Sequence, residues 1–374
     1  MIEPNKKIVI TGGFGFVGRH LARFLMTKPE FDVVQIGREI FDNSAQLIES
    51  LKGVNTIVHL AAVNRHDDSE FIEKENFRLA ESLVNACEAA KIYPHFVVSS
   101  STQENLNNIY GNAKKAAREH ISEWAINHGT SCAGLIIPNV FGPFGKPNYN
   151  SFIPTFCQKI IHGDVPTIIE DREVELIYVN KLVELIYNEI IDHKHHLLHI
   201  PFQFKKKVSA VLSDLLSYYE DYFRCGTFPS LEDEYHLALF NTFRCYIPHN
   251  HYPVLFTLNT DSRGSFVELA RTNTSGQSSY STTHQGITRG NHYHTRKAER
   301  FAVISGKARI DLRLIDTNEV ISYEIDGDIS PGYVDIPIWH THNITNIGDS
   351  TLMTMFWINE PYNQEDPDTY FVKV

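Results

Sequence analysis

Four residues late in this 374-residue chain, His292, His294, Glu299 and His342, carry the side chains of a divalent-metal site. Three imidazoles and a carboxylate suit Zn, Fe, Ni or Mn, and ligand type alone does not choose among them. Their spacing is regular. Gly286, His292, His294, Glu299 and Gly306 follow G-x5-H-x-H-x4-E-x6-G, and Pro337, His342 and Asn346 follow P-x4-H-x3-N. With 19 histidines in the chain, any single one is more often bland than a ligand, so the joint spacing carries the reading. His292 and His294, two apart on a strand, point to one face, and a hairpin brings Glu299 beside them.

A second set opens the chain. Thr11-Gly12-Gly13-Phe14-Gly15-Phe16-Val17-Gly18 is a glycine turn of the kind that cradles phosphates. Gly12 permits the tight turn and Gly15 lets backbone approach a pyrophosphate. Gly18 lets the next helix pack close to the sheet, its first amides at Phe16 and Val17 facing the ligand. Such turns also cap helices that bind nothing, so placement decides. Lys7-Ile8-Val9-Ile10 feeds straight into this one, and Phe16, Val17, Leu21, Phe24 and Leu25 recur after it at helical spacing. Strand, turn and helix predict a dinucleotide site. After the second strand the chain reads Ile36-Gly37-Arg38, where an NAD-preferring site presents Asp or Glu. A small residue followed by Arg38 suits a 2′-phosphate and favours NADP(H); the alternative is that Arg38 is a solvated surface charge.

A third set follows a fourth apolar run, which ends in Ser99, Ser100, Ser101 and Thr102 and leads to Tyr110-Gly111-Asn112-Ala113-Lys114. Residues four apart share a helix face, so Lys114 lies beside Tyr110. Its ammonium is expected to lower the phenol's pKa, making Tyr110 a proton donor to a carbonyl oxygen near neutral pH. Ser101, or Ser100 in the alternative register, would hold that oxygen. With 17 tyrosines, a YxxxK spacing arises by accident about once in such a chain, so the serine-rich strand end gives the pair its weight.

The elements that must position these groups differ between the two parts of the chain. Val33-Val34-Gln35-Ile36, Thr56-Ile57-Val58-His59-Leu60 and His95-Phe96-Val97-Val98 alternate with helical stretches such as Leu79 to Ala90, which predicts a parallel sheet with helices on both faces. From about Tyr252 onward the pattern becomes short alternating strands, such as Ala308 to Leu314 and Val320 to Ile325, which predicts a β-barrel or jelly roll. The expected division is 1–247 and 252–374, joined through Tyr246-Ile247-Pro248-His249-Asn250-His251-Tyr252-Pro253.

Composition narrows the classes. A net charge of −11 disfavours nonspecific binding to nucleic acid or anionic lipid, so local basic residues must handle any phosphate. No apolar run approaches the ~20 residues of a membrane span, and the first residues lack the features of a secretory signal, so a cytoplasmic location is expected. Five cysteines without a CxxC pair predict reduced thiols in the core.

Residues 6 to 245 resemble the extended short-chain dehydrogenase/reductase family through TGGFGFVG, His59-Leu60-Ala61-Ala62, the SSST strand end and YGNAK. The resemblance implies a Rossmann fold with Ser101, Tyr110 and Lys114 in the catalytic roles. It also implies cofactor contacts at Leu60, Ala61, Ala62, Ser99, Tyr110, Lys114 and Pro138. Asn139, in Leu135-Ile136-Ile137-Pro138-Asn139-Val140-Phe141-Gly142, becomes a candidate substrate contact. Arg172 resembles the arginine that meets a sugar-nucleotide diphosphate, with a structural salt bridge as its alternative.

Residues 252 to 374 resemble the cupin superfamily, although the glycine two after the proline is Trp339 here and the leading glycine is displaced to Gly332. Asp261 to Glu268 and Gly286 to His292 also resemble the dTDP-4-dehydrorhamnose 3,5-epimerases, which are metal-free and use the histidine matching His292 as a base. If His292 is instead a ligand, the proton must go elsewhere. His340 is a candidate to handle it; a surface position is the alternative.

The fusion as a whole is similar to the capsular polysaccharide CapF family and its O-antigen counterparts, through Val63-Asn64-Arg65, Lys146-Pro147-Asn148-Tyr149-Asn150-Ser151 and Asp366-Pro367-Asp368-Thr369-Tyr370-Phe371. That likeness implies a homodimeric bifunctional enzyme acting on a UDP-sugar, with Asn148 among the substrate contacts and Zn as the metal. It would epimerise C3 of a 4-keto-6-deoxy sugar and reduce C4 with NADPH. A reductase with a structural metal barrel, a nonenzymatic NADP(H)-sensing module and an iron dioxygenase are the other classes.

Overall fold

The computed structural model describes residues 6–106 and 108–374; residues 1–5, where the expectation of no secretory signal begins, lie outside them. The chain packs as two compact units, one of residues up to Thr155 with Glu170–Val208, the other of Phe156–Ile169 with Ser209–Val374.

The first unit alternates strands and helices: β1 (Lys6–Thr11), α1 (Phe16–Met26), β2 (Phe31–Ile36), α2 (Ser44–Ser50), β3 (Thr56–His59), α3 (Ser69–Ala90), β4 (His95–Ser101), α4 (Ile109–Asn127) and β5 (Cys132–Ile137). After β6 (Asn139–Phe141), the chain passes to the second unit within α5 (Phe152–Ile161) and returns for β7 (Glu173–Tyr178), α6 (Val179–Asp192), β8 (His196–His199) and β9 (Phe204–Lys207). The main sheet runs β2-β1-β3-β4-β5-β8, parallel throughout, while β6, β7 and β9 form a small separate sheet. Neighbouring residues of one strand feed opposite cores. Ile8, Ile10, Val58 and Val97 pack with α1 and α6, whereas Val9, Ile57, Phe96 and Val98 pack with α3 and α4. Burial on both faces explains why these strands read as continuous apolar runs.

The second unit contains two antiparallel five-stranded sheets. One orders strands 254–255, 332–336, 299–305, 352–358 and 277–283; the other orders 320–326, 307–314, 340–346, 288–293 and 370–371. Phe301, Val303 and Val334 of the first sheet meet Ile310, Leu312 and Ile344 of the second in a single core, which makes the unit a jelly roll.

This unit also holds α7 (Val208–Tyr218) from Ser209 onward and α8 (Glu234–Arg244), so the compact units do not part at the expected 247/252 boundary. The cause is a buried polar joint. Arg300 points away from the barrel core, between the rings of Phe228 and Tyr333, and makes two hydrogen bonds to Asp335 at 2.7 and 2.9 Å. Tyr222 donates to the same carboxylate at 2.8 Å, and Arg244 donates to the Ile336 carbonyl at 3.2 Å. Both Arg300 and Asp335 are 2% exposed. Asp335→Ala strands a buried guanidinium, and denaturant unfolding of the second unit is expected to show a loss of about 3–5 kcal/mol.

The cysteines form no disulfide, and burial pushes the thiols of Cys87 and Cys132 up to about 12. Among the described residues, no helix is long and apolar enough to cross a membrane.

Candidate active sites

The switch in strand order between β1 and β3 opens a crevice at their carboxyl ends. Two segments meet there. Thr11 Oγ1 is 2.8 Å from His59 Nδ1, the Leu60 amide donates to the Thr11 carbonyl at 3.1 Å, and the Ala61 amide donates to Thr11 Oγ1 at 3.3 Å. The close fit needs glycine at two positions: Gly12 has φ +66° and a Cβ there would lie 2.8 Å from the Ala61 nitrogen, while one on Gly18 would lie 2.3 Å from the Gly12 carbonyl oxygen. At its N-cap Gly15, α1 has no side-chain capping bond, so its first amides face a cavity of about 810 Å³.

Gly12, Gly15, Phe16, Val17 and Gly18 line that cavity, as do Arg38, Leu60, Ala61, Ala62 and Ser99. Ser101, Tyr110, Lys114, Pro138 and Asn139 line its other part. The structure therefore gathers groups from six separate stretches of chain. Sequence reasoning gave no role to Arg19, Arg65 and Lys146, which line it too. Among the described residues the lining thus carries five cations and no carboxylate, in a chain whose net charge is −11. Such a wall selects polyanions. Arg38 stands at the mouth, 57% exposed, and donates to Glu75 at 2.9 Å. Hydrogen bonds from Arg78, aided by Arg38, hold Glu75 below the usual carboxylate range against the effect of burial.

At the end of β4 the two candidate serines part. Ser100 donates to Glu104, which forms a two-bond pair with Arg118 at 3.0 and 2.9 Å. Ser101 Oγ accepts from the Gln103 amide at 3.2 Å, which leaves its own proton to donate. Lys114 is buried and donates to Ser99 Oγ at 3.3 Å; burial lowers it to about 8, with Glu104 opposing. The expected lowering of Tyr110 is not found. Burial, with the Tyr149 phenol nearby, pushes Tyr110 up to about 12, and the neighbouring ammonium is directed at Ser99. Two other candidate residues lie outside this cavity's wall. Asn148 and Arg172 are absent from the cavity wall; the Asn148 amide donates to Thr155 Oγ1 at 2.9 Å, and Arg172 is exposed, with no ion pair among the described residues.

In the second unit, single ligand atoms from His292, His294, Glu299 and His342 lie within 4.8 Å of one another. The hairpin expectation is corrected here. Glu299 opens a strand of the opposite sheet, paired with 332–336 and 352–358, so the turn after His294 crosses between sheets instead of folding back. His294 Nδ1 donates to the Asp368 carbonyl at 2.5 Å and His342 Nδ1 donates to the His340 carbonyl at 3.0 Å. Both Nε2 lone pairs then face Glu299 Oε2, at 3.3 and 3.2 Å. These three buried atoms have no hydrogen-bond partner among the described residues, an arrangement that a cation between them completes.

Burial alone would lower His294, but the Glu299 carboxylate more than offsets it and raises the imidazole; His292 is lowered to about 4 by burial and then by His342. Burial would raise Glu299, yet His294 and His342 hold it well below the carboxylate range. His292 is only half-buried, which gives the cluster one open side. Trp339 takes φ +64°, the left-handed backbone that the cupin glycine would supply, and its amide donates to the His294 carbonyl at 2.8 Å. His340 is buried, and the surface alternative fails.

Residues 8–195 match the NAD dependent epimerase/dehydratase family, and residues 259–370 match the polysaccharide biosynthesis C-terminal domain. Fold and crevice together therefore define an enzyme of the nicotinamide-dependent epimerase/dehydratase class, extended by a jelly roll. Along nearly its whole length the chain is similar to UDP-2-acetamido-2,6-beta-L-arabino-hexul-4-ose reductase from Pseudomonas aeruginosa PA103, 34% identical over 98% of this chain and 99% of that one. It is also similar to the solved capsular polysaccharide assembling protein CapF from Staphylococcus aureus, at 32% identity, a TM-score of 0.63, and coverage of 98% and 100%. The chain belongs to the CapF family. A UDP-N-acetylglucosamine 4-epimerase from Methanobrevibacter ruminantium, 19% identical with a TM-score of 0.55 over 65% of this chain and 98% of its own, shares the fold.

Proposed function

We propose that the protein is a bifunctional nucleotide-sugar enzyme of capsule or O-antigen precursor synthesis. The jelly roll epimerises C3 of a UDP-4-keto-6-deoxy-N-acetylhexosamine, and the first unit reduces the C4 ketone with NADPH. The product is UDP-2-acetamido-2,6-dideoxy-L-talose, a precursor of UDP-N-acetyl-L-fucosamine. The observation that carries the reading is the pairing, in one chain, of a proton-donor set around Tyr110 with a four-residue cluster of metal-ligand type. The Pseudomonas relative, a 4-ose reductase by name, supports the reduction.

Bound in this crevice, NADPH would supply hydride to C4. Tyr110 protonates the C4 oxygen, and Ser101 donates a hydrogen bond to the same atom before transfer. Lys114, the first-turn amides of α1 and the arginines of the wall hold the dinucleotide, with Arg38 directed at the 2′-phosphate. Asn139 orients the sugar.

A divalent ion held by His292, His294, Glu299 and His342, read as Zn on the family likeness, would polarise the C4 carbonyl and acidify the C3–H bond. The open side at His292 favours a catalytic over a closed structural site. Reduction removes the ketone that labilises C3, so the first reaction becomes irreversible in practice. The enzyme works as a cytoplasmic homodimer, a reading that rests on the family likeness.

Incubation with the 4-keto sugar nucleotide in D2O, followed by mass spectrometry and NMR, tests the assignment. Deuterium at C3 without NADPH, and a talose product only with it, is the expected result. Reduction at C4 with no deuterium at C3 would leave a reductase carrying a structural barrel.

The Lys114 ammonium gives a pH signature. Its pKa near 8 in the free protein rises when phosphate-bearing ligand binds, so the cation is present below pH 8 and is lost from the free site above it. NADPH dissociation constants are expected to climb by up to about tenfold per pH unit above 8, and Lys114→Met to flatten that slope.

A further inference from the structure

Asp368 lies 74 residues beyond His294, yet it is 3% exposed and engaged on every side with the turn that carries the metal ligands. Its carboxylate accepts from the Thr295 amide at 3.0 and 3.2 Å, from the Thr295 hydroxyl at 2.7 Å, and from the Arg296 and Lys297 amides at 3.1 and 3.3 Å. Those three consecutive amides belong to the segment that leaves one sheet after His294 and enters the other at Glu299. In so short a crossing the amides cannot join either ladder, and one carboxylate satisfies all three. The Asp368 carbonyl meanwhile accepts from His294 Nδ1, which aims Nε2 at Glu299.

The tail around it is anchored on the same strand. Tyr370–Phe371 pairs with Thr288–Tyr293, setting Phe371 opposite His292, and Tyr370 stacks on Tyr293 with ring centroids 5.1 Å apart. The Val372 amide donates to the Asn291 carbonyl at 3.0 Å.

We infer that Asp368 is the positioning residue of the metal cluster: its carboxylate sets the separation of His294 from Glu299, and its carbonyl sets which His294 nitrogen faces the ion. The inference rests on the reading that the four residues bind a divalent cation. Partners of this kind around metal-ligating histidines typically govern affinity by about 10- to 100-fold.

The full-length wild type, Asp368→Asn and Thr295→Val should be compared for Zn(II) affinity by chelator competition and for the visible absorption of the Co(II) form. Asn keeps the size of the side chain but offers one acceptor, and turns an NH2 toward backbone donors. Asp368→Asn is expected to weaken Zn(II) binding by about 10- to 100-fold and to shift the Co(II) bands. Thr295→Val, which removes one bond and leaves the carboxylate, is expected to weaken it by about 3- to 10-fold. A purely structural residue would change the melting temperature of the metal-free protein without moving the Co(II) bands. Wild-type affinity and an unchanged spectrum in a folded Asp368→Asn overturn the inference; if that variant does not fold, wild-type affinity in Thr295→Val does so. A wild type that takes up no divalent ion overturns the metal reading, and this inference with it.

Discussion

Tyr110→Phe is expected to lower NADPH-dependent reduction at C4 by about 10²- to 10⁴-fold while C3 deuterium exchange continues at the wild-type rate. The substitution removes one oxygen and leaves the ring, so the cavity keeps its shape. Tyr110 faces the same space as Ser101 and Lys114, and the other phenol of the lining, Tyr149, comes from a separate stretch of chain. The size of the loss follows from the chemistry. Hydride arriving at C4 leaves an alkoxide, and without a donor that charge must wait for water in a cavity walled by side chains.

The phenol sits at about 12 in the free site, which makes it fully protonated at working pH and therefore loaded for the reduction direction. Single-turnover rates with a substrate already inverted at C3 isolate the step. A Tyr110→Phe rate within threefold of wild type would remove Tyr110 from the role and point to a water relay.

The parts of this enzyme that were readable in its sequence are those fixed by neighbours along the chain. Ile8, Val9 and Ile10 alternate between two cores, and the glycine turn follows at once, so strand, turn and helix could be placed without tertiary knowledge. Spacing alone also gathered His292, His294, Glu299 and His342. It did not give the path between them. The four residues between His294 and Glu299 fit a hairpin as well as a crossing between sheets, and the amides of the crossing are bound by an aspartate from the far end of the chain.

The same holds for the unit boundary. Composition changes near Tyr252, but Arg300 and Tyr222 both converge on Asp335, across 35 and 113 residues respectively, and bind the preceding helices to the barrel. Tyr110 makes a further case. An i,i+4 lysine predicted a lowered phenol, whereas its ionisation is governed by burial and by Tyr149, and the ammonium is committed to Ser99. Local spacing says which groups can meet; what each does on meeting depends on partners recruited from elsewhere.

Removal of one metal ligand supplies the complementary test. His294→Ala is expected to abolish C3 exchange, a fall of at least about 10³-fold, with C4 reduction of a C3-inverted substrate unchanged. His294 is the most heavily supported of the four: its Nδ1 is held by Asp368, its own carbonyl accepts from Trp339, and its Nε2 lies 3.3 Å from Glu299. Alanine there leaves the Glu299 carboxylate facing His342 alone and opens space at the centre of the cluster. The barrel has reason to survive the change. Phe301, Val303, Ile310, Leu312 and Ile344 form its core independently of His294, and the Arg300–Asp335 pair lies away from that core. Circular dichroism and reductase activity on the inverted substrate check that the protein is folded, and metal content measured beside exchange shows whether the two fall together. A variant that keeps a full complement of metal yet loses exchange would make His294 the base instead of a ligand. One that loses metal and keeps exchange would assign the C3 chemistry to other residues, with buried His340 the first to replace.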